Sequence, residues 1–168
     1  LIDACLRRLH DSVDYVHEQT TAGINAGKDI FTTMNEVKLP KELRGGQGYG
    51  KAEWGVRTFF EQYTGWFQRR STAELYPSDP NLALGELAAL ADVPSILERA
   101  RARMESGDVP TAIRMLEALL MVVPDQPEAA SLMAYAHETL LKGGDESFWE
   151  YGWLVSERDR WRKVADEQ

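Results

Sequence analysis

Three histidines, His10, His17 and His137, are the side chains best suited by type to hold a metal or move a proton. His10 and His17 share a helical face but sit two turns apart, roughly 10 Å along the axis, which is too far to share an ion. His17-Glu18 opens the helical zinc pattern H-E-x-x-H, but Thr21 stands where the second histidine belongs. His137 stands alone beside Glu138, and no H-x-H pair occurs in the chain. On amphipathic helices all three are expected to be surface or half-buried hydrogen-bonding groups. Cys5 is the only cysteine, which excludes an intrachain disulfide and a cysteine zinc site. It is expected to be buried as a small hydrophobe.

Other candidates for chemistry are equally bare. Gly45 and Gly50-Lys51 match the spacing of a phosphate-binding loop, but Ala52 replaces the hydroxyl residue that would hold magnesium. No strand precedes the loop, so a tight connection with Tyr49 tucked against a neighbouring helix is expected, with Gly48 or Gly50 at positive φ. Glu53 and Glu61 are the carboxylates set among aromatics, and pairing with Arg57 at four-residue spacing accounts for them. Ser71, Ser95 and Ser131 fall in caps, turns or alanine-rich helix, with no G-x-S-x-G elbow. Trp54, Phe59, Phe60, Tyr63, Trp66 and Phe67 could stack bases with Arg57, Arg69 and Arg70 nearby. Glu53 and Glu61 cancel much of that field, so core or interface is the expected role.

The 168 residues suffice for one domain or two small ones, with a core that needs no staple. Hydrophobic residues make up 43% and charged residues 27%, as in ordinary globular proteins. Residues 1–76 carry ten Lys and Arg against ten Asp and Glu, and residues 77–168 carry nine against seventeen. The whole net charge of −8 therefore lies in the second half, which argues against nucleic acid as a partner. No apolar run reaches the roughly 18 residues of a membrane span, and the first residues carry no secretory leader. No membrane partner is expected, and a cytoplasmic location is slightly favoured. The chain starts at Leu1 rather than Met, as an excised fragment would.

The elements that must position these residues are helices throughout. Ile2, Cys5, Leu6, Leu9, Val13 and Val16 recur at helical spacing and predict a first helix of about 20 residues that exits at Gly23 and Gly27. Asp29 is the expected N-cap of a short helix ended by Leu39-Pro40. After the glycine loop, an aromatic helix is expected over 51–70. Its aromatics cover more than one stripe, so it should meet partners on two sides. Pro77 and Pro80 mark a turn that separates an N-terminal helical unit, 1–76, from a second, 77–168. Further helices are expected near 82–91, 94–106, 110–122, 127–141 and 146–161, with Pro94, Pro110 and Pro127 at their starts. No stretch alternates as a strand would, so the expected fold class is all-α.

Two resemblances follow from these motifs. Residues 101–141 resemble a tetratricopeptide-like helical hairpin, with Gly107-Asp108 as the turn and Ala112 inside the next helix. One good repeat is visible, whereas a free-standing solenoid needs about three. The second resemblance covers more. INAGKDIFTTMNEVKLP, the GQGYGK turn and the run from Trp54 to Phe67 follow in the order seen in the dimerisation region of alkyl sulfatases, zinc hydrolases of the metallo-β-lactamase superfamily. Gly107-Asp108, Pro124-Asp125, an alanine-rich helix and Trp149 continue the likeness to about residue 160. It implies a helical assembly module that pairs with itself and with the catalytic domain of its parent chain. Zinc belongs to that preceding domain, whose HxHxDH ligands are absent here, so no catalytic residue, metal or cofactor is expected in this chain. Residues 69–76, RRSTAELY, depart from long-chain members. The expected interface or structural residues are Gly48, Tyr49, Gly50, Trp54, Phe59, Tyr63, Trp66 and Phe67. The competing reading is a tetratricopeptide-like adaptor that binds a peptide.

Overall fold

A computed structural model describes residues 2–45, 48, 50–144 and 147–167. Among them are eight α-helices and no strand, the all-α class that the periodicity predicts. The chain divides into two compact units, Leu1–Pro77 and Ser78–Gln168.

The first unit is built from α1 (Ile2–Asn25), α2 (Ile30–Glu36) and α3 (Ala52–Thr64), with 3-10 turns at Lys41–Leu43 and Thr72–Leu75. The α1 helix passes through Gly23 rather than stopping there. A side chain at Gly23 would place its Cβ 2.9 Å from Thr33 Cγ2, so glycine permits the close approach of α2. Gly27, at φ +71, then turns the chain. Asp29 caps α2 as expected: its carboxylate accepts from the backbone N–H groups of Phe31 and Thr32 at 2.9 and 3.1 Å. The 3-10 turn at Thr72–Leu75 is fixed by a capping box between Ser71 and Glu74. α3 packs on both α1 and α2, around a small core of Val16, Val37 and Val56 flanked by Met34, Leu39 and Phe59.

The second unit holds α4 (Pro80–Ala89), α5 (Val93–Glu105), α6 (Val109–Val122), α7 (Pro127–Leu141) and α8 (Phe148–Asp166). Four of these starts repeat one chemistry. Asp79, Asp92, Asp108 and Gln126 accept from free backbone N–H groups of the first turn, and a proline follows at the first or second helical position. Gly107 and Gly144 supply the positive φ after α5 and α7. Successive helices pack as hairpins, α5 on α6 and α7 on α8, with α4 also against α6. Ala129, Ala130 and Ala136 are fully enclosed, which lets α7 lie close to its neighbours. Leu116, Leu119 and Met133 fill the centre. Each such side chain contributes roughly 1.5–3 kcal/mol.

Two expectations about burial fail. Cys5 is exposed, on the N-terminal half of α1 where residues 2–11 are all exposed. His137 is buried instead of lying at the surface, and its Nδ1 sits 2.7 Å from the Met133 carbonyl one turn back.

Candidate assembly surfaces

α3 sorts its aromatics by face. Val56 and Phe60 point into the first unit and are buried, while Phe59 is half-buried at its edge. Trp54 and Tyr63 stand outward, Tyr63 at 57% exposure. The helix does not continue to residue 70 as expected. Gly65 adopts φ +75 and ends it at Thr64, since a left-handed residue breaks the ladder without steric cost only as glycine. Trp66 and Phe67 therefore belong to the following turn, their rings 5.9 Å apart, with Trp66 69% exposed. Arg69 also takes a positive φ of 59°, a conformation uncommon outside glycine.

Polar contacts fix this surface. His17 Nε2 lies 2.6 Å from the Tyr63 hydroxyl, and Phe59 meets the His17 ring edge-on at 5.0 Å. Arg57 donates to Glu61 at 2.9 Å, the pair that the spacing predicts. Glu53 differs: it accepts from Lys38 at 2.9 Å rather than from Arg57. Burial raises the Glu53 carboxyl, but the Lys38 hydrogen bond, its own backbone N–H and the charges of Lys38 and Lys51 outweigh it, so the carboxyl lies below its ordinary value. Arg70 covers the Phe31 ring at 4.9 Å.

Gly46, Gln47 and Tyr49 lie outside the described residues. So do the expected seat of Tyr49 and the φ angles of Gly48 and Gly50, which depend on those neighbours. Gly50 itself sits close to Trp54, since an added Cβ would be 3.8 Å from its ring.

Three further apolar surfaces are exposed, the first of them the α1 stripe already marked by its spacing. Ile2, Leu6, Leu9 and Val13 form an exposed stripe on α1, in line with buried Val16 and Thr20. Leu82, Leu84, Leu87 and Leu90 are exposed on α4. Phe148, Trp149, Tyr151 and Trp153 are exposed at the start of α8. The signal for the last two was present: the apolar residues of α4 and of the first turns of α8 are too many and too widely spread around the helix for one core face to bury.

Among the described residues, no three His, Cys, Asp or Glu side chains converge as a metal ion requires. None therefore fits the zinc that the resemblance places in a preceding domain. No described helix is long and apolar enough to cross a membrane.

The order of motifs around α3 and the hairpins after it match the alkyl sulfatase dimerisation family over residues 29–160. The chain belongs to the alkyl sulfatase dimerisation family. The match takes in both units, from the N-cap of α2 to the last turns of α8, and favours an assembly module over a peptide-binding adaptor. The chain is 32% identical over 94 residues to a linear primary-alkylsulfatase of a Pseudomonas strain, covering 53% of this chain and 18% of that one. It is 26% identical over 160 residues to the alkyl/aryl-sulfatase BDS1 of Saccharomyces cerevisiae, covering 92% and 24%. Its fold is similar to that of the inverting sec-alkylsulfatase Pisa1 from Pseudomonas sp., with a TM-score of 0.77 and 23% identity over 92% of this chain and 25% of that one. The chain thus spans a quarter or less of the length of these relatives.

Proposed function

We propose that this dimerisation domain joins two copies of a longer hydrolase chain that acts on sulfuric or related esters. The observation that carries the reading is the family match over residues 29–160, with relatives named as alkylsulfatases. The domain itself supplies no cofactor and no catalytic group. Metal and ester chemistry belong to the rest of the parent chain, and the domain contributes contact surface to a second copy and to that parent.

The aromatic surface of the first unit supports a place at the contact. Trp54, Tyr63 and Trp66 hold large ring areas in solvent, and each aromatic can bury on the order of 150–250 Å². A two-fold contact uses one patch twice, with aromatic anchors near its centre. Sedimentation over a concentration series tests the reading. A species of twice 19.0 kDa is expected, weakened by Trp66→Ala with helicity unchanged. A single 19.0 kDa species at high micromolar concentration overturns dimerisation by this chain.

A further inference from the structure

Among the described residues, one side-chain-bearing residue takes a left-handed backbone, and it is an arginine. Arg69 lies at φ 59°, an angle that strains a bulky residue and persists only where the surroundings impose it. Here they do. Glu74 accepts from the backbone N–H of Gln68 through Oε2 at 2.8 Å and from that of Ser71 through Oε1 at 3.2 Å. One carboxylate thus clamps the chain on both sides of Arg69 and Arg70. The Gln68 side chain donates to the Gly65 carbonyl at 2.9 Å and ties the same turn to the end of α3.

The clamped turn closes one side of a cavity of about 460 Å³ within the first unit, whose other sides are the end of α1, the start of α2 and the end of α3. Small-molecule sites span roughly 300–1,000 Å³. Ile24, Ile30, Phe60 and Phe67 give it apolar walls, and Lys28, Arg69 and Arg70 bring three cations to the lining against one carboxylate, Asp29. The carboxylates nearby are engaged. Asp29 accepts from two backbone N–H groups through Oδ1 and from the Thr32 hydroxyl through Oδ2. Glu36 pairs with Lys28, and Glu74 holds the clamp. Arg70 lies over the Phe31 ring, and its charge acts on Asp29. The Arg69 guanidinium has no hydrogen bond or ion pair with a described residue.

We propose that this cavity binds an oxyanion carried on a small apolar body. The head meets Arg69, whose planar guanidinium can hold two oxygens at once, with the Arg70 charge beside it. The body lies against Phe60 and Phe67. The strain is the reason to assign Arg69 a ligand: glycine would adopt the same angle freely, so an arginine held there places its guanidinium. The site is complete within one copy and does not rest on the self-assembly reading.

The test titrates the chain with phenyl phosphate, which joins an anionic head to an aromatic ring, and follows backbone amide resonances. Inorganic phosphate and phenol are the separate arms. Phenyl phosphate is expected to bind with a Kd of about 1 mM or tighter and to shift the amides of Thr64 and of residues 67–70, with each half-probe about tenfold weaker or more. Arg69→Gly is expected to weaken binding by about tenfold or more, as the loss of a charge-assisted contact does. Its melting temperature should stay level or rise, because glycine relieves the angle. Arg69→Asn, also tolerant of this angle, should lose binding alike and serves where the glycine variant loses helicity. An arginine kept for structure alone gives the reverse, a lower melting temperature with binding unchanged, and overturns the proposal. Phenol binding as tightly as phenyl phosphate overturns the anion site, and inorganic phosphate doing so overturns the apolar body. No shift at about 10 mM phenyl phosphate overturns the whole, and leaves dimerisation, read by sedimentation, untouched.

Discussion

His17 on α1 and Tyr63 on α3 meet through a 2.6 Å hydrogen bond, 46 positions apart in sequence. The contact ties the long first helix to the last turn of the aromatic helix, and Phe59 closes over the imidazole. It places Tyr63 with its hydroxyl occupied and one side of its ring in solvent. Tyr63→Phe deletes the bond and keeps the ring, so it is expected to cost about 0.5–1.5 kcal/mol. For a small unit that lowers the melting temperature by a few degrees, roughly 4–8 °C per kcal/mol. Thermal unfolding followed by circular dichroism checks this, and His17→Ala combined with Tyr63→Phe should cost less than the two single changes together.

Acid should weaken the first unit through Glu53 and Asp29. Both carboxyls lie below their ordinary values, Asp29 through the Thr32 side chain and backbone and Glu53 through the contacts with Lys38 that outweigh its burial. A carboxyl lowered in the folded state stabilises fully above its unfolded value. That stability is lost as pH falls through the folded value. The expected result is a melting temperature flat above about pH 5 that falls towards pH 3. Glu53→Gln should lower the plateau and shrink the fall, and an unchanged slope would contradict the assignment.

Glycines in the same unit should respond in opposite directions. Gly23→Ala gains up to about 1 kcal/mol of helix propensity, but its methyl would sit 2.9 Å from Thr33 Cγ2 and 3.0 Å from Thr33 Oγ1. Thr33 is buried and β-branched, and its hydroxyl donates to the Asp29 carbonyl, so it cannot yield freely. A net loss of about 1–2 kcal/mol is expected. Gly55→Ala places its methyl 3.5 Å from Val16 Cγ1, an ordinary contact. It should be neutral or stabilising by up to about 1 kcal/mol. Chemical denaturation of the two variants decides it.

Zinc should not co-purify with this chain in stoichiometric amount. The motivation is the donor set: no converging triad of ligands exists among the described residues. Elemental analysis after dialysis is the measurement. A whole zinc per chain that resists dialysis would contradict the placement of the metal chemistry elsewhere in the parent.

The amino-acid sequence by itself determined the helices of this protein and many of their ends. Asp29, Asp92 and Asp108 cap where a carboxylate can reach free N–H groups, and Pro94, Pro110 and Pro127 sit where a missing N–H costs nothing. These are local effects, settled within a few residues, and the ordered motifs around α3 were legible for the same reason. Only the tertiary structure decided which face each helix buries. Phe60 and Tyr63 are three residues apart on one helix, yet one is enclosed and the other half in solvent. Periodicity tells which residues share a face, but burial depends on what other part of the chain arrives there. Cys5 was expected to be buried and is exposed, as is Leu9 on the same apolar stripe of α1. Gly65 shows the remaining gap. Its left-handed turn takes Trp66 out of the helix, a backbone choice that glycine permits and the periodicity of the aromatics did not reveal. The cavity of Phe60 and Arg69 was illegible for a related reason, since it is assembled from three helices and a turn whose approach no local pattern encodes.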